Sequence, residues 1–319
     1  MKPILSVDQL CKTFWTRKKG GFWRWLVPQK VPFEAVVDLT FSVHPGEKIA
    51  FIGPNGAGKS TTIKLLTGLL HPDRGYASVA GYVPWKEQKK LAYQFGSVFG
   101  ARSQLWYRLA PIETFNLLAK IYELKDVTAW QKELVEAFEI GPFLQKSVAH
   151  LSLGQRMRCE LVASLLHRPK ILFLDEPTIG LDVHAKMTIR SMLSSLCKGS
   201  GMTLFLTSHD PADIEQVCDR VLLIDQGRLV RDQTVRALRQ SLGKKKILRA
   251  LLEKEAICLQ VPGIQELESC PYRIVLSIDL EQISIEEAIG ALLRASGIKD
   301  LTFEDPPLEE VLRHVYKQA

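Results

Sequence analysis

The sequence predicts an α/β fold, a parallel sheet flanked by helices, followed by a small α+β domain. Three observations predict it. The apolar runs at 171–174, 203–207 and 221–224 read as buried parallel strands separated by helical stretches. The run 48–52 leads through a Gly-rich turn into the helix-like run 62–70. After about residue 232 the alternation breaks up into shorter strand and helix signals.

In chain order, residues 4–14 and 34–52 read as two or three strands. A hydrophilic, aromatic insertion, about residues 15–33, lies between them. Residues 91–169 are mostly helical in pattern, and Asp225-Gln-Gly-Arg228 is a hairpin signal near the end of a first domain placed at 1–232. The second domain, 233–319, opens near the basic cluster Lys244-Lys-Lys246. Residues 256–261 and 272–278 are strand candidates. Ser284-Ile-Glu-Glu287 is a capping box opening a helix to about Ser296, with Gly297 just past its end. Residues 299–304 read as a further strand, and Asp305-Pro-Pro307 caps a last helix with Leu308, Val311, Leu312 and Val315 on one face.

Of 319 residues, 46% are hydrophobic and 24% charged, the composition of an ordinary globular protein. No apolar run reaches membrane-spanning length, and the opening residues meet Asp8 too early for a secretory signal. Six cysteines without CxxC spacing read as cytosolic, mostly buried thiols. The net charge of +7 suits an anionic surface, and equally a solvated face.

The string Gly53-Pro54-Asn55-Gly56-Ala57-Gly58-Lys59-Ser60-Thr61 is a phosphate-binding loop between strand and helix. Its glycines let successive N–H groups surround one anion, and the helix N-terminus adds its dipole. Lys59 supplies charge to the β- and γ-phosphates, and Ser60 a hydroxyl to Mg²⁺. The strand 171–174 ends in Asp175-Glu176. An acidic pair closing a strand is by itself often a solvated edge. Behind a phosphate loop, Asp175 is placed to hold Mg²⁺ through water, and Glu176 to orient or deprotonate the attacking water.

Leu151-Ser152-Leu153-Gly154-Gln155 is followed by a helix with Met157, Leu161, Val162, Leu165 and Leu166 on its apolar face. Thr178-Ile-Gly-Leu-Asp182 follows the acidic pair, and His209 stands just after the strand 203–207. In this order the motifs resemble the nucleotide-binding subunit of ABC transporters over roughly residues 4–230. The resemblance implies a P-loop NTPase core with an antiparallel β subdomain and a helical subdomain over about 91–169. It implies ATP and Mg²⁺ as cofactors, and a head-to-tail dimer with ATP sandwiched at the interface. Ser152 and Gly154, within the signature that includes Leu153 and Gln155, would face the γ-phosphate bound by the other subunit. Leu153 stands where the family usually has a second Gly. Asp182 would cross the dimer to help order the water, and His209 would reach the γ-phosphate and hold Glu176 or the water. Adenine is expected on Phe14, with Trp15 the alternative. The glutamine loop departs from the family: Ala101 holds the expected place, and Gln104 is the loop's only glutamine. Gln104 is assigned to Mg²⁺, the alternative being that no side chain of the loop touches the metal.

The segments 81–85, 103–106, 151–160 and 300–310 resemble a bacterial group of exporter ATPases similar to daunorubicin-resistance and sodium-exporter ATPases. That group implies separately encoded integral-membrane permease subunits as partners. It also implies a homodimer or heterodimer of nucleotide-binding subunits, a peripheral place on the cytoplasmic face of the membrane, and no nucleic acid. The stretch 15–27 interleaves aromatics with positive charge, which suits a lipid headgroup layer or a protein groove. A soluble ABC ATPase acting on ribosomes or DNA is the competing function. One phosphate loop and no heptad run argue against it. A regulatory subunit of a heterodimer is a third, which the altered glutamine loop permits and intact Lys59, Asp175, Glu176 and His209 oppose.

Overall fold

Six strands form the sheet that carries the phosphate loop, in the order β5-β6-β7-β3-β8-β9. These are β3 (Lys48–Ile52), β5 (Phe95–Phe99), β6 (Ile171–Asp175), β7 (Thr203–Thr207), β8 (Arg220–Asp225) and β9 (Arg228–Thr234). The computed structural model describes residues 2–17, 30–100, 103–125, 127–240, 245–254 and 261–306. The chain divides into two units, Met1–Val235 and Arg236–Ala319.

In the first unit, β5, β6, β7, β3 and β8 run parallel, and β9 returns antiparallel on β8. The hairpin turn places Gln226 and Gly227 at φ 44° and 77°, the pair of left-handed residues a tight hairpin needs. β3 sits between β7 and β8, although β4 to β6 intervene in sequence. The strand ends around β3 therefore flank a crevice of the kind that holds ligands in open α/β sheets. Helices cross between strands: α1 (Lys59–Leu66), α5 (Leu153–Leu165), α6 (Val183–Ser200) and α7 (Pro211–Val217). The other described helices of this part are α2 (Gln88–Ala92), α3 (Pro111–Ile121) and α4 (Val127–Ala137).

A second, antiparallel sheet has the order β2-β1-β4, from β1 (Leu5–Arg17), β2 (Lys30–Val43) and β4 (Arg74–Val79). Its inner face meets the parallel sheet through a row of phenylalanines. Phe41 of β2 lies 6.0 Å from Phe51 of β3, which lies 5.1 Å from Phe205 of β7, itself 5.6 Å from Phe173 of β6. Such ring pairs add to the burial of their area.

Two expectations change here. β1 and β2 pair from Leu5↔Val43 out to Arg17↔Lys30, so strand continues into both ends of the expected insertion. Residues 18–29 of that insertion lie outside the described residues. The segment 95–99, expected within a mostly helical stretch, is the edge strand β5. A Cβ on Gly96 would overlap the Ser164 carbonyl oxygen of α5, so glycine lets the helix pass over the strand.

The second unit is a four-stranded antiparallel sheet, order β11-β12-β10-β13, with one described helix. Its strands are β10 (Lys245–Leu252), β11 (Ile264–Cys270), β12 (Arg273–Asp279) and β13 (Ile298–Glu304). Helix α9 (Ile285–Ser296) opens on Ser284, whose hydroxyl accepts from Glu287 N–H, and Gly297 follows at φ 66°. Leu248, Leu252, Ile274, Leu276, Ile278 and Leu292 form its core. A short helix, α8 (Val235–Gln240), spans the boundary in sequence. The strand expected over 256–261, apart from Val261, and the last helix expected from Leu308 lie outside the described residues.

Candidate nucleotide site

The phosphate loop leaves β3 at Gly53 and enters α1 at Lys59. Two of its glycines are required by geometry. Gly58 has φ 102°, and a Cβ there would overlap the Ala35 carbonyl oxygen. A Cβ on Gly53 would overlap the Ile224 carbonyl oxygen. Gly56 has φ 86° and nothing within 4 Å of its Cβ position, so the loop's outer rim is open. Lys59 is 6% exposed, and its ammonium donates to Gly53 O at 2.6 Å and Pro54 O at 3.1 Å. Burial lowers its pKa, while the charges of Glu176 and Asp175 act in the opposite direction. Ser60 and Thr61 continue into the first turn of α1.

The register of β6 brings the acids to the same end. Asp175 pairs with Phe99 on one side and Thr207 on the other. Thr207 donates its hydroxyl to Asp175 Oδ1 at 2.6 Å. Glu176 leaves the strand at φ 55°, a left-handed conformation that costs energy for a non-glycine residue. Its N–H donates to Thr207 O at 3.1 Å, which holds the turn. The turn brings Glu176 Oε1 to 2.5 Å from His209 Nε2. Asp175, Glu176 and His209 therefore meet beyond the ends of β6 and β7, and β7 neighbours β3, which leads into the loop that carries Lys59.

Behind His209 lies a buried network that sequence reasoning missed. Asp213 is 1% exposed, accepts from Thr178 Oγ1 at 2.6 Å, from Arg190 Nε at 2.5 Å and from the Ser208 hydroxyl. Arg190 also approaches Asp210 at 2.6 Å, an ion pair poorly aligned for a hydrogen bond. Lys186 donates to Asp210 Oδ2 at 2.8 Å. These bonds tie the residues on both sides of His209 to one another, and through Asp210 and Asp213 to Thr178 and to α6. A buried acid on α7, two positions after its N1 proline, was the available signal.

Ser152 is the N-cap of α5: its hydroxyl accepts from Gln155 N–H at 3.2 Å, and Gln155 Oε1 accepts from Ser152 N–H at 3.0 Å. Gly154 faces α6, where a Cβ would come within 2.9 Å of Ala185 Cβ. Leu153 leans on Gly180, with its Cδ2 3.3 Å from the Cβ position there. Asp182 caps α6 through Ala185 N–H at 2.8 Å. The signature and the segment 178–182 are thus packed together, some way along the chain from the phosphate loop.

Phe14 is half-buried and pairs with exposed Phe33, so both rings share one face of the ribbon. Phe33 lies two residues, about 7 Å of strand, from Ala35, whose carbonyl borders Gly58. Trp15 occupies the opposite face. The structure does not place Gln104 with the metal-facing groups, contrary to the assignment above. Its side-chain amide donates to Ser97 O, and Ser97 pairs with Phe173, two positions short of Asp175. The cause lies in its backbone N–H, which is pinned by Glu160 of α5. Ala101 lies outside the described residues. Gly100 N–H donates to Asp175 O at 3.0 Å, so the loop leaves β5 beside the acids.

The donors fit Mg²⁺ and a nucleotide. A hydroxyl and one or two carboxylates are what Mg²⁺ takes from protein when phosphates complete its octahedron. Among the described residues there is no group of three or more His, Cys, Asp or Glu suited to hold a metal by themselves. The open rim at Gly56 leaves room for phosphate over the loop.

A phosphate loop between β3 and α1, beside a strand-end Asp-Glu pair, defines a P-loop nucleoside triphosphatase. The ABC transporter family profile matches residues 36–179. The linearmycin-resistance ATP-binding protein LnrL of Bacillus subtilis (strain 168) is 30% identical over 286 residues, 86% of this chain and 91% of the relative. The daunorubicin-resistance ATP-binding protein DrrA3 of Streptomyces coeruleorubidus is 29% identical over 88% of this chain and 91% of its own. A solved ATP-binding subunit of an ABC transporter superposes with a TM-score of 0.62 at 30% identity, over 75% of this chain and 93% of that one. The chain belongs to the ABC transporter family of ATP-binding proteins and is an ATPase. Among the described residues no helix is long and apolar enough to cross a membrane.

Proposed function

We propose that this chain is the ATP-driven subunit of an exporter, working on separately encoded permease subunits through a head-to-tail ATP-sandwich dimer. The observation that carries the reading is the placement of Glu176. A strained backbone turns it out of β6 next to Asp175 and onto His209. In this reading the backbone N–H groups from Gly53 to Thr61 surround the phosphates, Lys59 meets the β- and γ-phosphates, and Phe14 stacks on adenine. Ser60 and Asp175 would hold Mg²⁺, which supplies charge neutralisation at the phosphates. Glu176 orients the attacking water and takes its proton, and His209 fixes the carboxylate. Ser152 and Gly154 contribute a helix N-terminus to the partner's γ-phosphate, and Asp182 lies beside them. The export reading is supported by relatives named for linearmycin and daunorubicin resistance. The permease would meet the exposed Trp106 and Tyr107, which follow the glutamine loop. The second unit is read as an accessory domain, and the aromatic stretch 15–33 as a contact for membrane or partner.

Glu176→Gln tests the reading. It removes the base and keeps size and a hydrogen-bonding group. The variant should bind Mg-ATP with near-normal affinity, lose turnover by about a hundredfold or more, and collect as a nucleotide-bound dimer in gel filtration. Turnover near that of the parent chain would remove Glu176 from the mechanism.

A further inference from the structure

Glu160 is 4% exposed on α5, flanked by buried Cys159, Leu161 and Val162, and the phosphate chemistry above does not use it. A carboxylate is costly to bury unless donors surround it. Here the donors come from a loop 56 residues earlier. Gln104 N–H donates to Oε1 at 3.1 Å and to Oε2 at 3.0 Å, and the Ser103 hydroxyl donates to Oε1. Leu105 N–H closes the turn onto Ser103 Oγ at 3.1 Å. Gln104 is fastened a second time, by its side-chain amide on Ser97 O of β5. One residue of the loop is therefore held by its backbone to a helix and by its side chain to the sheet.

What lies at the two ends of this fastening gives it meaning. On the loop side, Trp106 and Tyr107 follow at once, 44% and 63% exposed. On the helix side, Glu160 is eight residues, about 12 Å of helix, from Ser152. We propose that Glu160 is a positioning residue that locks Ser103–Gln104–Leu105 onto α5, so that the exposed aromatics and the Ser152 end of the helix move as one piece. Gln104 belongs to this lock rather than to the metal. The inference rests on the ATPase reading for its consequence in turnover, but not for the lock itself.

The test uses the full chain, with hydrogen exchange read first without nucleotide. Glu160→Gln retains one acceptor and turns an amide N–H₂ towards the Gln104 N–H. Exchange at Gln104 and Leu105 should accelerate about tenfold or more, while β6 and the phosphate loop keep their protection. Ser103→Ala removes the hydroxyl donor of the lock and the acceptor for Leu105 N–H, leaving Gln104 N–H in place, and should act in the same direction if Glu160 variants fold poorly. In both, ATP affinity and KM should stay within about twofold and kcat should fall severalfold, a split that a loss of general stability does not produce. Gln104→Ala should leave the Mg²⁺ concentration for half-maximal ATPase unchanged.

Unchanged exchange at Gln104 and Leu105 in both Glu160→Gln and Ser103→Ala would overturn the lock. Faster exchange with kcat unaltered would overturn its positioning role. A raised Mg²⁺ requirement in Gln104→Ala would return that residue to the metal. If the chain proved not to hydrolyse ATP, the exchange measurement would still decide whether the lock exists.

Discussion

At the scale of single residues, Lys59 separates binding from chemistry. Its ammonium is held to Gly53 O and Pro54 O, directly over the loop. Lys59→Ala removes the charge proposed to meet the phosphates, an interaction of about 1.5–3 kcal/mol. The Kd for ATP, measured by calorimetry, should rise about tenfold or more, whereas Glu176→Gln should barely change it. Equal affinity in Lys59→Ala and the parent chain would place the phosphates elsewhere. The residues of these motifs were legible because each sits in a short string whose local structure follows from its own composition. Asp213 and Arg190 were not. Their partners come from 178, 208 and 210, and only the folded sheet brings those together. Glu160 was hidden in the same way: on an apolar helix face it reads as an intrusion until Ser103 and Gln104 arrive. The contacts of Gln104 with Glu160 and Ser97 were hidden too, because position in a motif says nothing of where a backbone N–H is pinned.

At the scale of elements, the cap of α5 complicates a common substitution. Ser152→Arg would block the proposed trans phosphate site but also forfeit the N-cap, worth about 1 kcal/mol. Ser152→Asp keeps the cap and sets a carboxylate against the phosphate. It should leave thermal stability and monomer ATP affinity near those of the parent and abolish the ATP-dependent dimer in sedimentation. A dimer forming normally would argue against the sandwich. The turn between α5 and β6 carries a second prediction. His167 is held by Nε2 on Phe95 O at 2.8 Å and stacks on Tyr122 with 4.3 Å between centroids. Burial keeps its pKa below the ordinary 6.5, with the Phe95 carbonyl acting against that shift. The unfolded chain therefore takes up this proton first as pH falls. Stability from this group is complete above about pH 6.5 and declines below it. His167→Phe should flatten the pH dependence of chemical unfolding between about pH 7 and 5.5, and an unchanged slope would discount the histidine. Long apolar runs gave β3, β6, β7 and β8 away. β5 stayed unread because Phe-Gly-Ser-Val-Phe is short, and its burial comes from α5 passing over Gly96. β11 is polar and exposed over nearly all its length, so no apolar alternation marks it.

At the scale of the whole molecule, the second unit has a core of its own in Leu248, Ile274, Leu276, Ile278 and Leu292. A chain ended after Gln240 should keep its ATP affinity, because no residue of the candidate site lies beyond that point. Its self-association without nucleotide should weaken, as read by sedimentation of both lengths. Identical association would leave the unit without a bracing role. The alternation of strands and helices made the first unit's class legible, whereas the second unit showed only its best-capped helix and two of its strands. Its remaining described strands, β10 and β11, begin in charge or alternate weakly, and depend on their neighbours in the sheet. The row Phe41–Phe51–Phe205–Phe173 has a different bearing, on exchange of parts between relatives. It is a seam sewn from both sheets, so a chimaera that imports a foreign β1–β2–β4 sheet also replaces the one ring, Phe41, that this sheet contributes. Such hybrids should fold well only when the donor brings a ring of matching size at position 41, whatever its similarity at the phosphate loop.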